Sequence, residues 1–500
     1  MDWNLLGSDK ISNFKGFKLS FRKITLSSLC LLGAAQSFAM PTAFLPLGKD
    51  NILEYQIDQM FALTGTVPMA KPYRITEINK TLFQLETLDP ALFQSIKTRL
   101  APYLQRDAIT RRGVKLRIDS GETQQLANDR GNHSSEYAEL SIDGVWRGSD
   151  TSLVQIGAEY RVDAGKVVPY NTFYALGGDN LQLTLGYKEH WFSPFKHSAQ
   201  VYSNNAKAPL SASLGLNLPL DNWWNFDFEL FYSELDRVEK GINYQGELHD
   251  GTPKLAGTHI SFEPLDNWKI AINRMMQFGG GPRKVDVKDV VKAYFDPAGN
   301  DNRGLTGSMD NELGDQWATI TSTFTTNWIQ PVQWYLEYGG EDTKNHKNYQ
   351  FGNTVASFGV YLPSLTTDIT LRYEYTNMHS LWYVNEIYSK AGNTIDGFVV
   401  GHAAANQRTF GDAAPTDAHM LEVSYRENLE SLWRMKLSTV DNTSNYLNEL
   451  GQTGDVYEQA VELSVSNTRQ MYDKQVETSL TYGKDVFGES YTWLSVNVYW

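Results

Sequence analysis

Past residue 113, apolar and polar side chains take turns along the chain. Val154, Ile156, Ala158, Tyr160 and Val162 alternate with Gln155, Gly157, Glu159, Arg161 and Asp163. Trp224, Phe226, Phe228, Leu230 and Tyr232 alternate with Asn225, Asp227, Glu229 and Ser233. The same rhythm sets Val332, Trp334, Leu336 and Tyr338 against Gln333, Tyr335 and Glu337. It also sets Ile369, Leu371, Tyr373 and Tyr375 against Thr370, Arg372, Glu374 and Thr376. A period of two is the mark of a strand with two unlike faces. Here the polar face carries Arg and Glu, and aromatics gather at the ends of the apolar face. That is the pattern of a barrel whose apolar face meets hydrocarbon and whose charged face lines a lumen. A soluble sheet would turn its charges outward. Each strand signal is weak, and their number carries the reading.

The last ten residues sharpen it. Leu494, Val496, Val498 and Trp500 share one face; Ser495 and Asn497 share the other, with Trp493 and Tyr499 near the ends. This predicts a closing strand that pairs on both edges, because an open edge in lipid leaves backbone N–H and C=O groups unsatisfied. The rival reading is the last strand of a soluble β-sandwich. Tight turns are expected at Asp221-Asn222, Asp266-Asn267 and Asn428-Leu429-Glu430, and longer Gly- and Asn-rich connections over 278–314 and 390–417. Short turns on one rim and long loops on the other is the outer-membrane arrangement. About 390 residues at roughly 20 to 22 per strand and connection gives about 18 strands. The expected fold is therefore an all-β transmembrane barrel of about 18 antiparallel strands, spanning 113–500.

Residues 50 to 105 follow a different period. Asn51 with Glu54 resembles a capping box, and Ile52, Tyr55, Gln56, Gln59, Met60 and Leu63 follow at helical spacing up to Gly65. Ile75, Ile78 and Leu82 continue the pattern. Asp89-Pro90 reads as an N-cap followed by Pro at the first helical position, with Leu92, Ile96, Leu100 and Leu104 on one face. Two or three helices this short bury little apolar area alone, so they should pack on something larger. Residues 40–112 are expected to form a small periplasmic α-helical region before the barrel.

The start of the chain supports export. Lys10, Lys15, Lys18, Arg22 and Lys23 precede an apolar stretch from Ile24 to Ala35 and a small-x-small site at Ser37-Phe38-Ala39. This predicts a signal peptide over 1–39, cleaved before Met40, and hence an outer-membrane protein. Cys30 is the only cysteine and lies in that segment. The mature chain then has no disulfide and no thiolate metal site. Without the five Lys/Arg and two Asp/Glu of residues 1–39, 39 basic and 56 acidic residues remain, a net charge of −17. That is a poor partner for nucleic acid. No window beyond the leader is apolar enough for a spanning helix. A mean hydropathy of −0.41 fits a barrel, in which only alternate residues meet lipid.

Several ordered stretches resemble the capsule assembly Wzi family of outer-membrane proteins. They are Asp296-Pro297 with Gly299-Asn300-Asp301-Asn302, and Asn311-Glu312-Leu313-Gly314-Asp315-Gln316. Pro331-Val332-Gln333-Trp334-Tyr335 leads on to Gly340-Glu341-Asp342, and Leu371-Arg372-Tyr373-Glu374-Tyr375-Thr376-Asn377 follows. Val400-Gly401-His402 to Gln407-Arg408-Thr409-Phe410-Gly411-Asp412 completes the series. The family has Gly-Asn-Gln where this chain has Gly314-Asp315-Gln316. The resemblance spans nearly all of the mature chain. It implies an 18-stranded barrel with a periplasmic helical bundle, acting without catalysis as a lectin that holds capsular polysaccharide.

A lectin needs hydrogen-bonding side chains beside aromatic platforms, because sugars present apolar C–H faces and a rim of hydroxyls. Arg adds a two-point grip on a uronic acid carboxylate. The candidate polysaccharide-binding residues are Asp301, Asn302, Arg303, Glu341, Asp342, His379, Trp382, His402, Arg408 and Asp412. The bland readings are that the Asp/Asn cluster only turns the chain and that Trp382 and Tyr383 belong to an interfacial girdle. Glu341, Asp342 and Asp301 offer a weaker alternative, a divalent cation bridging lipopolysaccharide phosphates. No cofactor and no metal centre is expected. The expected partners are capsular or extracellular polysaccharide, outer-membrane lipid and lipopolysaccharide, and a polysaccharide export channel. Two rivals stand. A diffusion porin would line its pore with Arg161, Arg372, Arg434 and Glu374, unless these pair and block it. A barrel lipase would use His259 and Ser261, but their strand position predicts that both point into the lumen rather than to lipid.

Overall fold

The structure is a computed structural model and describes residues 40–500 apart from 179, 298–309, 311, 346, 380–381, 389–391, 407–414 and 443–456. The expected signal peptide lies outside the described residues. Three helices come first: α1 (Asn51–Thr64), α2 (Ile75–Leu88) and α3 (Pro90–Leu104). Asp50, one residue before the expected cap, caps α1 by accepting from Leu53 N at 3.0 Å. Gly65 ends the helix with φ 70°. Asp89 caps α3 by accepting from Leu92 N at 2.9 Å, with Pro90 at the first helical position as expected.

The barrel strands follow: β1 (Asp107–Ser120), β2 (Ala138–Ser149), β3 (Ser152–Arg161), and β4, made of Lys166–Pro169 and Thr172–Gly177. Then come β5 (Leu181–Tyr187), β6 (Ser211–Leu216), β7 (Asp227–Glu234), β8 (Lys254–Leu265) and β9 (Trp268–Phe278). After helix α4 (Val287–Phe295) come β10 (Gly314–Thr326), β11 (Val332–Thr343), β12 (Phe351–Leu362) and β13 (Ile369–Met378). The last five are β14 (Thr416–Asn428), β15 (Ser431–Asp441), β16 (Gln459–Met471), β17 (Lys474–Lys484) and β18 (Ser490–Tyr499). The two pieces of β4 lie end to end along β3, so the 19 hydrogen-bonded segments make 18 wall positions. All pairings in this wall are antiparallel, and β18 closes on β1 with Tyr499 opposite Gly113 and Ser495 opposite Arg117. Trp500 N and Arg112 N each donate to the other's carbonyl, at 3.0 and 2.9 Å. The closing strand thus pairs on both edges.

Burial is inverted relative to a soluble protein. Ile118 on the outer face is 72% exposed, while Glu159 on the inner face is 0% exposed. Leu140, Ile156, Leu230, Ile272, Ile320, Leu336, Leu480 and Leu494 are exposed, whereas Arg161, Glu229, Arg372 and Glu374 are buried. Lipid is the solvent that the outer face fits. Leu265–Trp268 and Asn428–Ser431 are tight turns on the rim that carries α3 and the start of β1; β9 and β13 end, and β10 and β14 begin, at the opposite rim. One expected strand starts late. Trp224 and Asn225 hold φ of 55° and 50° in a turn, so pairing begins at Asp227.

The lumen is filled from both ends. Residues 40–74 enter from the short-turn rim, and α1 is buried on nearly every side. Thr42 N donates to Gln182 Oε1 at 2.8 Å, and Lys49 reaches Glu159 at 2.7 Å. Helices α2 and α3 pack below, where Leu82, Leu85, Leu92, Phe93, Ile96 and Leu100 join one core with α1. From the long-loop rim, residues 188–210 fold inward and are almost wholly buried. Their backbone groups find partners there, as buried ones must. Glu374 accepts from Lys196 N at 2.8 Å and His197 N at 3.0 Å, and Ser203 N donates to Val400 O at 2.8 Å. Phe192, Val201 and Tyr202 pack with Phe231, Met275, Trp317, Trp382 and Tyr383 in a second core. The two plugs meet: Lys71 N donates to Trp191 O at 2.8 Å, and Lys196 Nζ lies 3.0 Å from Glu54 and 3.3 Å from Asp58.

Candidate functional site

The plugs lean toward β3–β13 and leave a cleft along the inner wall of β14–β18 and β1. Its wall follows from alternation. In β15, β16, β17 and β18 the inward positions include Lys436 and Ser438, Glu462 and Ser464, Glu477, Ser479 and Thr481, and Trp493, Ser495 and Asn497. Half of these side chains (Ser438, Ser464, Ser479, Thr481 and Ser495) are short and hydroxylated, and they leave space between the wall and the plug. Two hollows of about 430 and 330 Å³ result, and both are lined by Gly48, Asn51, His197, Lys436, Ser464, Glu477 and Ser479. The larger one reaches the ends of β15–β18 at the long-loop rim, where Asp485, Val486 and Tyr491 line it.

The floor is the first turn of α1. Asn51 Nδ2 donates to Glu477 at 2.8 Å, and Asp50 lies 3.2 Å from Arg111 and accepts from Gln475 at 3.0 Å. Arg111 also donates to Gln475 at 2.9 Å. This layer closes the cleft toward the short-turn rim among the described residues.

Cations, carboxylates and aromatics sit along the cleft. Lys115 lies 3.0 Å from Asp129 and 3.3 Å from Glu139, and Lys436 lies 3.7 Å from Glu462. Tyr491 and Trp493 stack with ring centres 4.8 Å apart and 14° between planes, and Tyr491 donates to Glu462 at 3.0 Å. Asp129, Glu139 and Glu159 come close enough together to suggest a cation site. Lys115 already serves the first two, and Lys49 and Arg161 serve Glu159 at 2.7 and 2.5 Å. These carboxylates are neutralised by side chains, so the set is an ion-pair network. On the plug side, His402 N donates to Tyr383 Oη at 2.8 Å, and His197 lies 3.7 Å from Glu422.

The residues expected from the sequence scatter. Asp301, Asn302, Arg303, Arg408 and Asp412 lie outside the described residues. Glu341 is buried on β11, on the inward face shared with Tyr335 and Glu337. Asp342 pairs through its backbone with Gly352. His379 is exposed just beyond β13. Trp382 is 3% exposed and packs edge-on against Tyr383 at 5.4 Å, inside the plug core. Among those that are described, only His402 lines the cleft. The expectation missed Tyr491, Trp493, Lys115, Arg117, Lys436 and the hydroxyl wall. Their signal was available, since they fall on the inward beat of the last four strands and the first. His259 and Ser261 do point inward: His259 Nδ1 meets Asn273 Oδ1 at 2.6 Å and stacks on Phe192 at 5.3 Å. A lipase dyad facing lipid is therefore not formed there.

Comparison with known proteins agrees with this architecture. The profile of the capsule assembly protein Wzi family matches residues 108–487. Among solved structures, the chain is similar to Wzi of Escherichia coli, described as an outer membrane protein involved in group 1 capsule assembly and a carbohydrate binding beta-barrel. The TM-score is 0.65 at 13% identity, over 93% of this chain and 99% of that one. Pseudomonas aeruginosa OpdQ matches with a TM-score of 0.42 at 9% identity, over 78% of this chain and 95% of that one. Acinetobacter baumannii OccAB4 matches with a TM-score of 0.41 at 9% identity, over 78% and 96%. No curated protein sequence matches the chain.

Proposed function

The chain belongs to the capsule assembly protein Wzi family, and on that footing we propose that it holds capsular or exopolysaccharide at the cell surface without catalysis. The carrying observation is the content of the lumen. Residues 40–74 and 188–210 occupy it from opposite ends, and what remains is a polar cleft reaching the long-loop rim with a floor at Asp50 and Asn51. A blind polar cleft suits retention of a polymer better than passage of solutes. Its hydroxyl and amide wall matches sugar hydroxyls, and the Tyr491–Trp493 pair offers a face for sugar C–H groups. Lys115 and Lys436, each already beside a carboxylate, add N–H donors for sugar hydroxyls. The carbohydrate binding described for the Escherichia coli relative supports the same reading.

The test is deletion of the gene in an encapsulated host. Polymer synthesis should continue while the cell-bound fraction drops and free polymer appears in the medium. Unchanged surface retention would overturn the proposal. The porin reading has its own discriminator: purified protein in a planar bilayer should be silent, and steady conductance would favour a pore.

A further inference from the structure

Helix α4 lies outside the barrel. Its residues Val290, Ala293 and Tyr294 pack on Met276, Phe278 and Ala256, at the long-loop end of β8 and β9. Met276 and Ala256 share the outward face of the wall with Ile272, which is exposed directly below them. Arg274 also points outward, an unusual place for a cation in a lipid-facing wall. Its guanidinium donates to the carbonyls of Ala293 at 2.8 Å and Tyr294 at 3.0 Å, in the last turn of α4, and to Gln316. A cation at a helix C-terminus is electrostatically favoured. The hydroxyls of Tyr294 and Thr258 also hydrogen-bond. Arg274 and Tyr294 thus fasten α4 to the barrel wall.

The rest of the helix surface is what a membrane boundary selects. At 3.6 residues per turn, Val287, Val291 and Phe295 form a stripe beside the barrel-facing edge. They are 80%, 50% and 82% exposed. The next stripe around the helix is Lys288 and Lys292, with Lys284 one turn earlier; all three are exposed and form no ion pair among the described residues. An apolar flank beside a basic flank, on a short helix pressed against lipid-facing strands, is the build of an in-plane interfacial helix. We infer that α4 lies in the outer leaflet boundary, with Val287, Val291 and Phe295 in hydrocarbon, and that Lys284, Lys288 and Lys292 bind the phosphates of a phosphorylated glycolipid. The occupant is lipid rather than polymer, because α4 packs on the outer wall immediately above the exposed, lipid-facing Ile272 and Ile320.

The test uses the full chain in lipid nanodiscs. A spin label on Phe295→Cys, in a Cys30→Ser background, reports its surroundings. The label should be reached by dissolved oxygen and shielded from aqueous nickel. Native mass spectrometry then compares retained bisphosphorylated lipid A with its dephosphorylated form. The parent should prefer the phosphorylated lipid by about tenfold or more, and Lys288→Glu with Lys292→Glu should erase the preference. Both substitutions are on exposed positions, so folding is checked simply by heat-modified gel migration. A label freely open to aqueous nickel would overturn the inference, and so would a phosphate preference that survives charge reversal. Capsule retention plays no part in either readout.

Discussion

The two halves of the lumen obey one alternation and end up opposite in content. Along β7–β13 the inward positions carry Phe231, Trp317, Tyr335 and Tyr361 among charges such as Glu229 and Arg372. Residues 188–210 and α1 pack onto these large rings. Along β15–β18 the inward positions carry Ser438, Ser464, Ser479, Thr481 and Ser495, and a cleft stays open. Alternation decides which side chains face inward. Their reach decides whether the space is filled. The plug then needs the charges of the first half: Asp58 takes Lys196 at 3.3 Å, Arg372 at 3.2 Å and the Tyr73 hydroxyl at 2.5 Å.

The strongest way to break this contrast is to empty the filled half. Replacing residues 191–206 by a short Gly-Ser connection keeps the β5–β6 pairing but removes the inner loop. The variant should conduct steadily in a bilayer where the parent is silent, as unplugged barrels do. Silence in the variant would mean that α1 alone seals the lumen, and the contrast between halves would lose its cause.

Single substitutions separate the halves next. Asp58→Ala leaves Lys196 and Arg372 buried without their shared carboxylate, a loss of about 3–5 kcal/mol. Ser479→Ala removes one 2.6 Å hydroxyl contact with Ser495 beside a hydrated cleft and should cost about 1 kcal/mol or less. Denaturant unfolding in detergent, followed by tryptophan emission, measures both. Equal losses would show that the cleft wall is as tightly coupled as the plug.

Two tryptophans then test the site. Trp493→Ala should weaken binding of purified capsular polysaccharide by roughly tenfold while leaving stability nearly unchanged, the scale of one aromatic platform. Trp382→Ala should do the reverse, costing about 3–5 kcal/mol of stability, because its ring fills the plug core. Isothermal titration and unfolding on the same preparations give both numbers. A binding loss confined to Trp382→Ala would move the site into the loops that the sequence reading favoured.

The barrel was legible because membrane solvent imposes a period-two code on every strand, and Leu494, Val496 and Val498 keep that code to the closing edge. The helices were legible from caps such as Asp89-Pro90. What enters the lumen was not. The run from Lys188 to Leu210 shows no periodicity, and its partners Glu374, Ser357 and Val400 lie about 150 to 200 residues further on, a separation no local pattern encodes. Trp382 looked like a sugar platform for the same reason: a polar loop with aromatics reads as exposed unless one knows that it folds inward. The hydroxyl wall was missed because each Ser is unremarkable alone, and only registry across β15–β18 gathers them.

The smallest expected effect falls at the seam between the halves, where His197 and His402 stand on plug loops facing the cleft. Burial is the main cause that pushes His402 down to about 3, with His197 beside it as the second. Burial also pushes His197 down to about 4, against the opposing pull of Glu374 and Glu422. Both rings are neutral in the folded plug at pH 7. Once a loop swings out, its histidine returns to an ordinary value near 6.5, so the opened state binds more protons as pH falls below that value. Plug stability is therefore full above about pH 6.5 and declines as pH drops toward 4. At pH 6 each histidine should favour opening by about fourfold. Hydrogen exchange of residues 195–203, corrected for the intrinsic rate, should show that loss of protection between pH 7.5 and 6. His402→Gln should remove its share, while strands β15–β18 stay unchanged. Protection that is flat with pH would place both rings in water, and the seam would then belong to the open half.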